Sequence, residues 1–215
     1  MATFGNNPNI VTNVLIMYDK VMVLKLFVDS QDETLQNMYQ QAAMNHNNKI
    51  LNTTEHIDAG FDLFAPQNTG DEYDTWGEQL RFFGTGWTDT LPVNKLDFKV
   101  SCSAKMYLDS GKQYNTGYYM YPRSSLSKTQ LRLANATGII DSGYRGHLIG
   151  AFDIVNRPIN TPNNIEADYY GRTYDRYLQI CAPGLVPIIV EIVSSHSDLG
   201  DETERGGGGF GSTGR

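Results

Sequence analysis

Five short segments concentrate the reactive side chains of this chain. In Ala59-Gly60-Phe61-Asp62-Leu63 an acid lies inside an apolar strand-like run just after a glycine. A carboxylate in such a place must be ion-paired, hydrogen-bonded or close to a metal ion. In Tyr121-Pro122-Arg123-Ser124-Ser125-Leu126 a turn started by proline presents a guanidinium beside two hydroxyls. That set suits phosphate oxygens, although a solvated turn reads the same way. The segment Asn135 to Gly146 (NATGIIDSGYRG) leads apolar residues into a tight Ser-Gly turn, with Asp141 on one side and Tyr144 on the other. A carboxylate fixed at a turn suits a general base, whereas the tyrosine equally suits hairpin packing. In Asp175-Arg176-Tyr177-Leu178-Gln179-Ile180, alternation puts Arg176 and Leu178 on one face and Tyr177 and Gln179 on the other. The last segment, Arg205 to Gly214 (RGGGGFGSTG), combines exposed backbone amides, one cation, two hydroxyls and one aromatic ring. These are the ingredients of a phosphate clamp or of a disordered tail.

The elements that carry these segments read as short strands. Val21 to Val28 (VMVLKLFV) is a first strand, and from Ile57 onwards strand-like runs alternate with turns and leave little room for helix. This frequency suggests an all-β sandwich or jelly-roll. One short helix is expected over residues 31–44, started by a capping box at Ser30-Gln31-Asp32-Glu33. Residues 1 to 13 are rich in Asn and read as loose. The stretch 67–94 has no clear period and reads as an insertion, and a second loop covers 160–173. The expected organisation is an N-terminal extension (1–20), one domain (21–204) and a mobile glycine-rich arm (205–215).

With 40% hydrophobic residues, the 215-residue chain has the material for a core. A net charge of -7 argues against general nucleic-acid binding, which calls for a basic face. An acidic chain can still hold a polyphosphate, provided local arginines, amides and a divalent cation assist. The two cysteines, Cys102 and Cys181, are far apart and suggest neither a zinc site nor a disulfide framework, but two reduced, partly buried thiols. No run reaches the length of a membrane span, and the first residues lack the pattern of a secretory signal. An intracellular location, cytoplasmic or nuclear, is the expectation, with no membrane and no nucleic-acid partner.

Taken in order, AGFDL, PRSS, GIIDSGYRG, DRYLQ and RGGGGFGSTG resemble the five motifs of the trimeric dUTPases. The resemblance runs from about Val21 to Arg215, interrupted by the insertion, and its third and fifth motifs are the most specific. It implies a distorted jelly-roll β-barrel, three copies of which share active sites across their interfaces. The implied activity is dUTP diphosphatase: hydrolysis of dUTP to dUMP and pyrophosphate by water attack on the α-phosphorus. Such an enzyme keeps uracil out of DNA and supplies dUMP for dTMP synthesis.

By the same resemblance Asp141 matches the carboxylate that activates water. Tyr144 matches the ring under the deoxyribose that leaves no space for a 2′-hydroxyl. Asn135, the backbone at Ile139 and Ile140, and Ile149 match the uracil pocket. Arg123, Ser124 and Ser125 match the phosphate turn, and Gln179 a position near the α-phosphate. Asp62 matches the acid that steadies Mg²⁺ through water. In the arm, Phe210 matches the ring that stacks on uracil, with Gly211 beside it, while Arg205, Ser212 and Thr213 match the γ-phosphate grip.

Ser125 stands where that family most often has Gly, and Tyr174 precedes the Asp of the fourth motif. The nearest rival is a dCTP deaminase, which needs a glutamate where this chain has Ala151 and which lacks the full arm. A rival of another class is a non-catalytic or moonlighting trimer, a scaffold or signalling module with the insertions as partner surfaces.

Overall fold

The computed structural model describes residues 8–52, 56–67, 79–84, 93–155, 168–201, 203 and 206–208. Strand β1 (Lys20–Val28) is apolar along nearly its whole length because it is covered on both faces. Met22, Leu24 and Leu26 enter the main core, whereas Val21 and Val23 join a smaller one with Val14, Ile50 and Ile189. β1 pairs in parallel with β12 (Ile188–Val193) and antiparallel with β4 (Asn94–Leu108). The sheet continues from β4 to β9 (His147–Ile154) and β7 (Leu131–Leu133), with β5 (Gln113–Asn115) also on β4.

A second sheet runs in the order β2 (Gly60–Asp62), β11 (Leu178–Cys181), β6 (Tyr118–Pro122), β8 (Gly138–Ile140). Phe98, Leu148 and Phe152 from the first sheet share one core with Phe61, Met120 and Ile180 from the second. Two sheets around a common core make the fold all-β, of the jelly-roll type expected. Between β4 and β9 the register shifts: Asp97 faces Ile149 and Ser101 faces His147, with Lys99 at φ 56 in the bulge. Among the described residues no helix is long and apolar enough to cross a membrane. Cys102 and Cys181 are both buried and free of any disulfide, and burial pushes the Cys102 thiol up to about 12.

Three features differ from the sequence reading. Residues read as loose belong in part to a helix, α1 (Pro8–Met17), whose Val14 seals the smaller core alongside Ile10, Val11 and Leu15. Its asparagine-rich start hid a stripe that has tertiary contacts to fill. Helix α2 (Glu33–Asn52) is longer than expected and is capped by Asp32, not Ser30. Asp32 Oδ1 accepts from the backbone N–H groups of Thr34 (2.9 Å) and Leu35 (3.1 Å). The polar stretch that looked like its end has a task at the outer edge of β12. Asn47 donates to Val190 O (2.8 Å) and accepts from Val190 N (2.9 Å), and His46 Nε2 donates to Ile188 O at 3.0 Å. These side chains satisfy the edge as a further strand would. Lastly, the two segments read as separate loops meet: β3 (Gln79–Phe82) pairs antiparallel with β10 (Tyr169–Arg172). Phe82 packs from there against Phe152 and Tyr177.

Candidate functional site

The chemically distinctive residues fall into two groups. The first is built on the hairpin from β8 to β9. Antiparallel pairing of β6 with β8 sets Tyr119 opposite Ile139 and Met120 opposite Gly138. The chain then turns at Asp141, where Tyr144 N donates to Asp141 O at 3.0 Å. A cavity of about 200 Å³ opens there, lined by Asn135, Ile139, Ile140, Asp141, Tyr144 and Ile149 among others. The structure therefore brings together six residues that the sequence reading had assigned to base, sugar and catalysis. Ile139, opposite Tyr119 in the strand pair, is 73% exposed and lines the cavity. Tyr144 is held at its far end, its hydroxyl donating to His147 O at 2.8 Å.

His147, which the sequence reading passed over, lines the same cavity. Its Nδ1 lies 2.9 Å from Asp97 and its Nε2 3.0 Å from Asp29. Burial alone would raise the Asp97 carboxyl, but hydrogen bonds from His147 and Lys99 prevail and hold it below the ordinary value. The three residues lie far apart in sequence; the pairing of β4 with β1 and with β9, across the bulge, brings them together.

The second group is built where β2, β11 and β6 run side by side. In that register Gln179 faces Asp62 on one side and Tyr121 on the other. Asp62 sits between two guanidinium groups, 2.7 Å from Arg123 Nε and 3.0 Å from Arg176 Nη1. Gln179 Nε2 donates to Pro122 O at 3.4 Å. Arg123 leads into a 3-10 turn (Ser124–Lys128), with Leu126 N donating back to Arg123 O at 2.9 Å. Ser124 and Ser125 are exposed at the start of that turn. Space at Gly60 is tight: a Cβ there would lie 2.5 Å from Gln179 Oε1. A cavity of about 530 Å³ lies over this group, and α2 lends it His46 and Lys49. Burial lowers the His46 imidazole below its ordinary value, so a neutral ring is favoured there.

Arg176 corrects the sequence reading. Alternation had put it on the face of Leu178, yet Leu178 is buried in the core while Arg176 joins Gln179 at the cavity. The strand begins only at Leu178, so period two does not extend back to Arg176. Arg205, Phe210, Gly211, Ser212 and Thr213 lie outside the described residues.

Among the described residues none lines both cavities. Among the described residues no group of three or more His, Cys, Asp or Glu is placed to hold a metal ion directly. Asp62, already bridged by two arginines, fits only a hold through water, the manner in which Mg²⁺ commonly meets protein while gripping phosphates.

No family model matches the chain. Curated relatives are deoxyuridine 5'-triphosphate nucleotidohydrolases. That of Cutibacterium acnes is 38% identical over 97 residues, which cover 45% of this chain and 56% of the relative. That of Hydrogenovibrio crunogenus is 34% identical over 96 residues, covering 44% and 55%. The chain thus spans about half the length of the curated relatives it matches. Among solved structures, a dUTPase of Staphylococcus bacteriophage 80alpha bound to dUpNHpp has 20% identity and a TM-score of 0.38, covering 74% of this chain and 87% of its own. A dUTPase of S. aureus phage phi11, described with a structural Mg(II) ion, has 16% identity and a TM-score of 0.41, covering 74% and 88%.

Proposed function

We propose that this chain, whose sequence relatives are dUTPases, hydrolyses dUTP to dUMP and pyrophosphate as a homotrimer. The observation that carries the reading is the β8–β9 hairpin, which sets a carboxylate and an aromatic ring at the two ends of one turn over a cavity. Asp141 takes a proton from water as the water oxygen attacks the α-phosphorus. The bond to the bridging oxygen of the β-phosphate breaks, and pyrophosphate leaves. Water is a poor nucleophile until a positioned base draws off its proton. Tyr144 lies flat beneath the deoxyribose and excludes a 2′-hydroxyl, while Asn135, Ile149 and the backbone of Ile139 and Ile140 bound the uracil.

Arg123, Ser124, Ser125 and Gln179 hold the phosphates. An incoming triphosphate competes with Asp62 for Arg123 and Arg176, and the carboxylate so released would hold Mg²⁺ through water. The ion supplies neutralisation of the triphosphate charge. From the arm, Phe210 stacks on uracil beside Gly211, and Arg205, Ser212 and Thr213 grip the γ-phosphate.

Two separate cavities in one chain support a site completed between chains. In a closed ring of three, the hairpin cavity of one protomer meets the Asp62 group of the next. Ala151, buried in β9 and opposite Lys95, offers no acid for a deaminase.

The test is turnover of dUTP, UTP, dTTP and dCTP by the full chain with Mg²⁺. Strong preference for dUTP is the expected result. Ammonia released from dCTP would assign the chain to the deaminases, and equal turnover of UTP would overturn the role given to Tyr144.

A further inference from the structure

The turn that carries Asp141 is short, and a closing hydrogen bond runs from Tyr144 N to Asp141 O. One such bond around a Ser-Gly pair is a soft support. Yet each of the next four carbonyls meets a donor. Arg145 Nη1 donates to Ser142 O and to Tyr144 O, both at 2.9 Å. Thr203 Oγ1 donates to Gly143 O. His196 Nε2 lies 2.8 Å from Arg145 O, and since a carbonyl only accepts, that nitrogen carries the proton. The chain also returns a bond in the other direction, Arg145 N donating to Gly206 O at 2.9 Å.

Thr203 and His196 both come from the segment after β12, and that segment is firmly mounted. A 3-10 turn (His196–Leu199) is closed by a capping box between Ser195 and Asp198. Lys25 of β1 donates to Asp198 O at 3.0 Å, and Phe27 meets the His196 ring edge-on at 6.0 Å. Leu199 is buried beneath. Gly206 takes φ 50, and its N donates to Thr203 O at 3.0 Å, which bends the chain back over the hairpin. There Gly207 lies so close to Gly146 that a Cβ on Gly146 would come within 3.1 Å of it.

We infer that Thr203 is a positioning residue for the turn that carries Asp141, with His196 as its second anchor. The C-terminal segment thus holds the base in place through its first residues, independently of any contact its last residues make with substrate. This deepens the dUTPase reading and rests on it for the role of Asp141. The placement of the turn stands on the hydrogen bonds alone.

The experiment compares the full chain with Thr203→Val, which keeps shape and removes the hydroxyl, and with Thr203→Ser, which restores it. Amide hydrogen exchange of residues 142–146 is read beside kcat and KM for dUTP with Mg²⁺. Losing one hydrogen bond should speed local exchange about fivefold or more while β1 and β4 keep their protection. Small misplacement of a reacting group is costly, so kcat should fall about tenfold to a hundredfold, with KM nearly unchanged. Thr203→Ser should recover both. Should Thr203→Val prove unstable, His196→Phe keeps the ring against Phe27, removes the Nε2 donor, and should act in the same direction.

Unchanged exchange in 142–146 would overturn the inference, and so would faster exchange with native kcat. If the unaltered chain does not turn over dUTP, the functional reading fails and exchange alone decides whether Thr203 braces the turn.

Discussion

Gly60→Ala separates stability from activity at the Asp62 group. The added methyl would stand 2.5 Å from Gln179 Oε1 and 3.0 Å from Cys181 Sγ. Ordinary contact begins about 1 Å further out, so the Gln179 amide must withdraw by roughly that distance. It is the end of a flexible side chain held by a single bond of 3.4 Å to Pro122 O, so it can move without disturbing β11. The stability cost should stay within about 1 kcal/mol, since one weak hydrogen bond is lost and no cavity forms. Turnover should suffer far more, because a displacement near 1 Å at a group that orients the reacting phosphate can cost on the order of 10²-fold. Thermal unfolding and steady-state kinetics on the same preparation give both numbers. Native kcat/KM in a well-folded Gly60→Ala protein would refute the placement of Gln179 at the α-phosphate. A large fall in Tm would show instead that Gly60 is needed for packing.

Asp141→Asn should keep fold and nucleotide affinity and lower kcat by about 10²- to 10⁴-fold. Mixed trimers of Asp141→Asn with Asp62→Asn chains should regain part of the activity, since some of their sites would pair two intact halves. Asn47→Leu should destabilise by about 2–4 kcal/mol in denaturant titrations, because Val190 N–H and C=O both lose their buried partner. Asp97, held below its ordinary value, contributes stability that is present above the unfolded carboxyl range and lost as pH falls through its folded value. Asp97→Asn should therefore cost more Tm at pH 7 than in strong acid, and an equal cost at both would contradict the pairing with His147.

The residues that share the hairpin cavity were legible together because most of them lie within one short stretch of sequence. Asp141 and Tyr144 are three residues apart, and a Ser-Gly turn between them suffices to face them to one cavity. Arg123 and Asp62 were legible as separate candidates, but their ion pair depends on β6 and β2 both flanking β11, a non-local pairing that periodicity does not encode. Long-range partners were missed for the same reason. His147 needs Asp97 from β4 and Asp29 just past the end of β1, and Thr203 needs a carbonyl sixty residues away. The helices were misjudged through composition. Asn47 and His46 look like helix-ending residues until β12 is seen to present an edge that needs donors and acceptors. The pairing of β3 with β10 escaped because each strand is short and half apolar, and each is stable only against the other.

The central claim is that water attacks the α-phosphorus of dUTP. Turnover in ¹⁸O-enriched water, with mass analysis of both products, tests it directly. Attack at the α-phosphorus puts the heavy oxygen in dUMP and none in pyrophosphate. Label in pyrophosphate, or release of inorganic phosphate with dUDP, would place the attack at another phosphorus and contradict the role assigned to Asp141.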